Sequence, residues 1–408
     1  MEHRYQCAIA GGGPAGLMLG VLLARAGVHV AVIEKHADFL RDFRGDTIHP
    51  STMAVMNELR WLDEFLALPH QPVQELIAQF GTERIKLADF SRLAVKTPYI
   101  AMMPQWDFLN FLAAKGKSYP NFKLVMNTEA IDLLYDLGRV VGLIAKSPGE
   151  DLMTLSACLV VAADGRSSRL RERAGLRRVD LGAPMDVLWF RLPRKPSDTQ
   201  ETQARVDAGR LFIMLNRGDY WQCAFVIGKG LNEQVRALGL EAFRARVAPL
   251  LPFEATRIQA LTHWDQVALL AVKVDRLARW ARPGLLCIGD AAHAMSPVGG
   301  VGVNLAVQDA VAAANILAEP LRTGRVEFVD LMRVQERREW PTRITQRLQV
   351  IVQNTIIKKV IDDATTMKPP LLLRMLLATP YLRQLPARLV GLGVRPEHVS
   401  QAIRNASG

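Results

Sequence analysis

Three glycines, Gly11, Gly13 and Gly16, stand between a short apolar run at residues 5–10 and an apolar helical stretch at 14–26. Each has a use at that G-x-G-x-x-G spacing. Gly11 permits a tight turn, Gly13 lets the backbone approach a pyrophosphate, and Gly16 allows a helix to pack closely on a strand. A helix opening with Pro14 and Ala15 would aim free N–H groups and partial positive charge at that anion. Gly27 sits where a glycine stops a helix, and residues 29–33 read as a second strand. Glu34 follows, 18 residues after Gly16, where its carboxylate can accept hydrogen bonds from ribose hydroxyls. Its neighbour Lys35 is counted with the same contacts. A glycine-rich turn in an unrelated α/β protein would leave Glu34 unexplained, so the pattern points to a dinucleotide-binding βαβ unit. It does not say which dinucleotide.

Two distant segments bear on that question. Leu286-Cys287-Ile288-Gly289-Asp290-Ala291-Ala292-His293 is an apolar strand ending in Gly-Asp. The turn Ser296-Pro297-Val298-Gly299-Gly300-Val301-Gly302-Val303-Asn304 follows and leads into a helix over about 303–321. Residues 158–171 form another apolar strand, ending in Asp164-Gly165-Arg166 with Arg169 and Arg171 close behind. A strand-end carboxylate beside a glycine and several arginines suits a junction between two phosphate-bearing cofactors. For any single arginine the plain alternative is a solvated helix start.

In order and separation, over roughly residues 4–320, these segments resemble the group A FAD-dependent monooxygenases. The nearest kin are the p-hydroxybenzoate hydroxylase fold and the ubiquinone-biosynthesis-hydroxylase-like group. The resemblance implies FAD, with Asp290, beside Gly289, hydrogen-bonded to the ribityl chain. Backbone N–H groups of the 299–304 turn, at Gly300, Gly302, Val303 and Asn304, would face the isoalloxazine or pyrophosphate. Asp164, Gly165 and Arg166 would serve both the flavin and a transient NADPH or NADH. Arg44 and Gln105 match positions at which relatives touch the cofactor, against ordinary surface or capping readings. Pro297 would shape the pocket over the flavin, with its carbonyl toward substrate. His293 joins it as a catalytic candidate, but a structural role is favoured because histidine recurs there in the family pattern.

The resemblance also implies a cycle. NADPH or NADH reduces bound FAD, O2 adds at the flavin C4a, and the hydroperoxide delivers one oxygen atom to an electron-rich substrate. The cofactor carries the hard chemistry while the protein orients it and excludes water. No Ser-His-Asp set, metal site or carboxylate pair is therefore needed, and no metal is expected. The expected partners are O2 and a hydrophobic or aromatic small molecule. A reductase or dehydrogenase of the same fold would not consume O2 in proportion to product, and a non-catalytic flavin-binding protein would show no ligand-stimulated NAD(P)H oxidation. A flavin halogenase is disfavoured because the chain has no Lys-Trp-Trp run after its nucleotide motif.

The elements that must position these residues follow from the rest of the chain. Its 408 residues are 50% hydrophobic and 22% charged, enough for a sizeable core and unlike a disordered, collagen-like or coiled-coil composition. The expected class is α/β: a Rossmann-like FAD-binding domain of the p-hydroxybenzoate hydroxylase (GR2) type, an interleaved β-rich substrate domain and a helical C-terminus. The FAD-binding βαβ part takes residues 1–72, substrate-domain strands 73–100, and the FAD-binding continuation 101–180. The substrate sheet takes 181–275, the FAD-binding completion 276–325 and the helical region 326–408. Residues 50–68 read as one helix with Met53, Met56, Leu59 and Leu62 on one face, and 106–114 as another. Residues 122–163 read as several strands with turns at 136–138 and 148–149. The clearest substrate-domain strands are 187–192, 211–215 and 221–227, and 194–204 is the most loop-like stretch. Trp189, Phe190, Met214, Trp221 and Phe225 are candidates for the pocket floor, with sheet-core packing as the alternative. The pocket reads as apolar, without an arginine to anchor a carboxylate.

The net charge of +11 comes with no nucleic-acid motif or aromatic-basic stripe, so no nucleic-acid partner is expected. It suits anionic cofactors or an anionic membrane surface. Lys358, Lys359 and residues 369–377 mix basic and apolar character and would suit peripheral membrane contact. Packing on the core or across a dimer is favoured because no clean polar face appears, and the chain is expected as monomer or homodimer. No secretory leader is read at the N-terminus, and no uninterrupted apolar span of about 18–20 residues. Cys7, Cys158, Cys223 and Cys287 form no CxxC pair, and three of them sit in strand-like runs, where thiols behave as small hydrophobes. A reducing cytoplasm is expected.

Overall fold

The computed structural model describes residues 3–40, 46–362 and 384–406. β1 (His3–Ala10), α1 (Pro14–Arg25) and β2 (Val30–Ile33) form the opening βαβ unit, with Cys7 opposite Val30 and Ala10 opposite Ile33 in parallel register. Cys7 to Ala10 are all fully buried. A parallel strand covered on both faces reads as a continuous apolar run.

The chain continues through β3 (Thr47–Ile48), α2 (Pro50–Glu58), α3 (Leu62–Leu66), β4 (Gln71–Val73), β5 (Glu75–Phe80), β6 (Glu83–Asp89), β7 (Ile100–Met102), α4 (Gln105–Lys117) and β8 (Phe122–Val125). An antiparallel excursion of β9 (Glu129–Asp136) and β10 (Arg139–Lys146) returns as β11 (Met153–Ala162), parallel to β1. α5 (Arg169–Arg173) and β12 (Arg178–Asp180) lead to the strands β13 (Met185–Pro193), β14 (Gln203–Asp207), β15 (Arg210–Asn216) and β16 (Tyr220–Gly228). After α6 (Asn232–Ala237) and α7 (Leu240–Val247) come β17 (Ala268–Leu270), β18 (Asp275–Leu277), β19 (Ala281–Arg282), β20 (Leu285–Cys287) and β21 (His293–Ala294). The long helices α8 (Gly302–Arg322) and α9 (Phe328–Val352) follow.

Two large sheets result. One runs β19-β20-β11-β1-β2-β8, with β10 and β9 appended at β11; the other runs β17-β13-β16-β15-β14-β5-β6. The first joins strands far apart in the sequence, because β20 enters parallel to β11 some 120 residues later. α1 packs against α4 and α8 beside it. By length and composition Val298–Arg322 could cross a membrane, but 72% of its apolar window is buried inside the fold. Its apolar length belongs to a core helix.

Several local expectations are revised. Residues 50–68 are two helices, not one, because Arg60 adopts φ 62° between α2 and α3. Met53, Met56, Leu59 and Leu62 nevertheless all point inward. All four cysteines lie in strands, β1, β11, β16 and β20. The stretch 194–202 is irregular but pinned: the Asp198 carboxylate accepts from Trp221 Nε1 (3.0 Å) and pairs with Arg257. Lys358 and Lys359 are exposed, while residues 369–377 lie outside the described residues.

Arg60 is exposed, and a left-handed backbone costs a non-glycine residue about 1–2 kcal/mol. Arg60→Gly is therefore expected to raise the urea midpoint, with a gain of about 1 kcal/mol. An unchanged or lower midpoint would mean that Arg60 side-chain contacts outweigh its backbone strain.

Candidate active site

Three turns meet at the C-terminal ends of the adjacent parallel strands β1, β11 and β20. In open α/β sheets ligands bind in the crevice outside such ends. At the first turn Gly11 has φ 106°, and a Cβ there would lie 2.3 Å from the Ala163 carbonyl oxygen. Gly16 approaches Gly11 as closely, whereas a Cβ on Gly13 would meet nothing within 4 Å. Gly13 thus faces open space at the head of α1, whose N-cap receives no side-chain hydrogen bond and whose first residue is Pro14. N–H groups in a first helical turn, here those of Ala15 and Gly16, have no intrahelical acceptor.

Glu34 is buried at the end of β2. Its Oε2 accepts from the Gly12 N–H (2.8 Å), and Oε1 accepts from the His36 N–H (3.1 Å) and pairs with His36 Nδ1 (2.5 Å). The carboxylate therefore holds the glycine turn itself. Lys35 beside it is exposed, and Arg44 lies outside the described residues.

At the second turn Asp164 Oδ2 caps α5, accepting from the N–H groups of Arg169 (2.9 Å) and Leu170 (3.3 Å). Its Oδ1 is buried without a hydrogen-bond partner. Burial raises the Asp164 pKa, outweighing those hydrogen bonds. Gly165 follows at φ 84°. Arg166 Nη2 reaches Asp290 Oδ2 at 3.2 Å, so the second and third turns are ion-paired. The buried Arg171 stitches them further, donating to the carbonyls of Ala291 and Arg166, each at 2.9 Å.

At the third turn Gly289 has φ 58°, and a Cβ there would sit 3.0 Å from Ala15 Cβ. Asp290 is thereby brought to the head of α1. The following turn is laced to the rest of the fold. Gln349 of α9 accepts from the Ser296 N–H (3.1 Å) and donates to the Val298 carbonyl (2.8 Å). The half-buried Pro297 lies between them, and its carbonyl accepts from the Gly300 N–H (3.0 Å). Thr47 Oγ1 donates to the Gly300 carbonyl (2.8 Å). The Asn304 side chain is occupied by His49 N–H (2.9 Å) and Thr52 Oγ1 (2.7 Å). Val303 is turned into the core. α8 has no side-chain cap, and a Cβ on Gly302 would again meet nothing within 4 Å. A second open helix N-terminus therefore faces the crevice.

His293 does not. It is 1% exposed on β21, with Nε2 at 2.6 Å from the fully buried Asp309. Among the described residues no group of three or more His, Cys, Asp or Glu side chains is placed to hold a metal ion.

The second large sheet presents two different faces. Alternation along β13, β15 and β16 sends Phe190, Met214, Trp221 and Phe225 to the face packed under α7. Trp189 lies on the opposite face, which also carries Arg191, Tyr220 and Gln222. Arg191, Tyr220 and Gln222, together with Arg217, Asp46, Pro104 and Trp106, line a narrow cleft that is closed to a water-sized sphere. Arg217 and Asp46 are both buried and ion-paired at 2.6 Å. Arg217 Nε donates to Gln222 (2.9 Å), and the Arg191 guanidinium lies 4.7 Å from the Tyr220 ring centre. Burial raises the Asp46 pKa, with Arg217 and the Gln105 N–H opposing it, and lowers that of Arg217. Gln105 thus enters the site through its backbone, at the start of α4. Period-two alternation, counted outward from Phe190 and Trp221, was the signal available for Arg191, Tyr220 and Gln222. Arg217 and Asp46 carried none.

His49 caps this region at the head of α2. Its Nδ1 lies 2.6 Å from the Val390 carbonyl, and burial lowers its pKa to about 4. A histidine held neutral in the fold but free to charge near pH 6.5 when unfolded contributes stability present above pH 6.5. That contribution is lost as pH falls toward 4. Urea unfolding should therefore show stability declining between pH 6.5 and 4, by up to about 3 kcal/mol from this residue. His49→Gln should flatten that segment; an unaltered profile would assign the pH dependence elsewhere.

Residues 4–348 match the family model described as FAD binding domain. The chain is 31% identical over 353 residues to 6-methylpretetramide 4-monooxygenase of Streptomyces rimosus, covering 86% of this chain and 83% of that protein. Among solved structures it resembles OxyS anhydrotetracycline hydroxylase from Streptomyces rimosus, with TM-score 0.75, 21% identity, and 98% and 78% of the two chains covered. It also resembles pqsL, a probable FAD-dependent monooxygenase from Pseudomonas aeruginosa, with TM-score 0.73, 22% identity, and 88% and 97% covered.

Proposed function

Because the chain belongs to the FAD-binding domain family and is a FAD-dependent aromatic monooxygenase, we propose which of its residues carry that chemistry. The observation supporting the assignment is the meeting of three turns at the ends of β1, β11 and β20, with two uncapped helix N-termini open toward them. These features suit FAD: Gly13 leaves room for a pyrophosphate, and the buried Asp164 Oδ1 lacks a partner.

In this reading the N–H groups of Gly13, Ala15 and Gly16 at the α1 N-terminus take the pyrophosphate. Glu34 keeps its bond to Gly12 and adds the ribose hydroxyls. Asp290 and Asp164 accept from hydroxyl and ring N–H donors of the flavin half. The N–H groups at the start of α8 face its ring system. When bound, FAD supplies the redox chemistry through which NADPH or NADH and O2 hydroxylate a substrate. Arg166, partly exposed and paired with Asp290, receives phosphate of the reductant by exchanging one anion for another. His293 is structural, and Pro297 shapes the wall above the flavin.

The substrate is an aromatic compound bearing an acidic oxygen, such as a phenolate, enolate or carboxylate. Arg191, Arg217 and Tyr220 face that group, and Trp106 offers an apolar surface to the ring. Guanidinium groups hold such oxygens through charge-assisted hydrogen bonds.

Two measurements test the proposal. O2 uptake and NAD(P)H oxidation by the FAD-loaded protein should be stimulated by one member of a panel of phenols and polycyclic phenolic acids, with one oxygen atom added to its product mass. Flavin that is reduced without ligand-dependent O2 use would shift the reading to a reductase. Separately, Arg191→Gln should raise KM about tenfold or more for an acidic substrate while sparing its neutral amide, since hydrogen bonds to charged groups contribute about 1.5–3 kcal/mol. Equal loss on both compounds would remove the anion anchor. Arg217→Gln alone is a poorer probe, because it would strand Asp46 as an unpaired buried charge.

A further inference from the structure

Behind the third turn lies a chain of buried charges that takes no part in the crevice. Asp309, in the second turn of α8, is fully buried, and each of its oxygens is committed. Oδ2 accepts from the Gly289 N–H at 3.0 Å and pairs with His293 Nε2 at 2.6 Å. Oδ1 accepts from Arg338 Nε at 3.0 Å. Arg338, 1% exposed on α9, passes the connection onward. Its Nη1 donates to the Arg395 carbonyl and to Glu397 Oε1, each at 3.3 Å, and Arg337 Nε meets the same Glu397 oxygen at 2.8 Å. His293 packs its ring 4.9 Å from the Trp280 ring centre, closing the side of the network.

The backbone around Glu397 is tied down by the helices behind the crevice. Its N–H donates to Gln308, the neighbour of Asp309 on α8. The Val399 N–H donates to Glu58 of α2 (2.7 Å) and the Ser400 N–H to Asn315 of α8 (2.8 Å). Residues 395–400 therefore form a strap held at the buried Glu397 by Arg337 and Arg338, and Arg338 carries the connection to Asp309 and from there to the main chain of Gly289.

Such an arrangement is costly unless every member is present. Removing one partner of a buried pair leaves an uncompensated charge, whereas apolar residues of equal volume are often as stable. Stability alone therefore does not account for a charged chain aimed at one peptide N–H. That peptide is the one whose left-handed glycine sets the direction of Asp290.

We propose that Asp309 is a positioning residue for the flavin, fixing the Gly289–Asp290 turn, and that Arg338 and Glu397 extend this hold to the strap, so that FAD binding and the order of residues 395–400 are coupled. The proposal rests on the reading of the Gly289–Asp290 turn as a flavin contact. Coupling of this kind is reciprocal. Loosening the strap weakens FAD binding, and binding FAD tightens the strap, though none of its residues borders the crevice.

The test uses the full-length protein, stripped of flavin and titrated with FAD while flavin fluorescence is followed. Glu397→Ala should raise the FAD Kd at least about fivefold, the lower end of typical coupling between sites. Glu397→Gln, which keeps an acceptor for Arg338, should recover part of that loss, and Asp309→Asn should weaken binding further. Thermal midpoints of the flavin-free variants separate a general structural role: a lowered midpoint with wild-type Kd in Glu397→Ala overturns the proposal. Hydrogen exchange gives a second reading that does not depend on variants folding well. FAD should slow exchange of the Glu397, Val399 and Ser400 amides in the wild-type chain, as well as those at 11–16. Protection at 11–16 alone overturns the coupling and leaves the flavin site standing. Failure of the wild-type chain to bind FAD overturns both.

Discussion

At the mouth of the crevice glycine backbone lies against neighbouring elements with no room for a side chain. A Cβ on Gly11 would stand 2.3 Å from the Ala163 carbonyl oxygen, and one on Gly289 would press on Ala15 at 3.0 Å. These approaches let β1, β11 and β20 end level with one another, with α1 entering directly above them. A fold that widened either gap would separate Asp164, Asp290 and the head of α1, and the convergence of hydrogen-bonding groups would be lost. Dispersion and hydrogen bonding both fall steeply with distance, so an ångström here matters more than it would on the surface.

Charge is managed differently on the two sides of the crevice. On the cofactor side the ionic contacts are short links between turns: Arg166 to Asp290 at 3.2 Å, and Arg171 to two carbonyls. Behind them Asp309 is held ionised. Burial alone would raise its pKa, but His293 and Arg338 outweigh that and bring it below the ordinary carboxylate value. The result is a fixed charge with fixed partners. In the Asp46–Arg217 pair burial works the other way, raising the acid and lowering the base.

The two sheets also divide their labour by strand type. The first is parallel at its centre and buried on both faces, which makes it a rigid base for turns. The second is mostly antiparallel, and its two faces differ. One is an aromatic core with Phe190, Phe225 and Phe243 packed edge to face. The other carries the polar residues that meet the first sheet's segments. A single-residue slip in β13 or β16 would exchange the two faces entirely, so the register of that antiparallel pair decides the chemistry of the pocket.

The local sequence by itself determined the nucleotide-binding unit, the order of the three turns and the residues at each, because those features depend on contiguous patterns: glycines where backbone must approach, an acid at a strand end, apolar runs where strands are buried. It also identified α8, though not that its apolar length reflects enclosure within the core. The tertiary structure alone decided that Arg217 meets Asp46 across 171 residues of chain, that Asp309 reaches Gly289, and that Arg338 ties both to a segment near the C-terminus. Those pairings carry no local spacing signature. Arg60 shows the same limit at short range: the apolar spacing of residues 53–62 suits one continuous helix, yet the chain reverses at a left-handed residue so that α3 can pack on α4. Periodicity specifies which face is buried; it does not specify what that face, or any charge beside it, will meet.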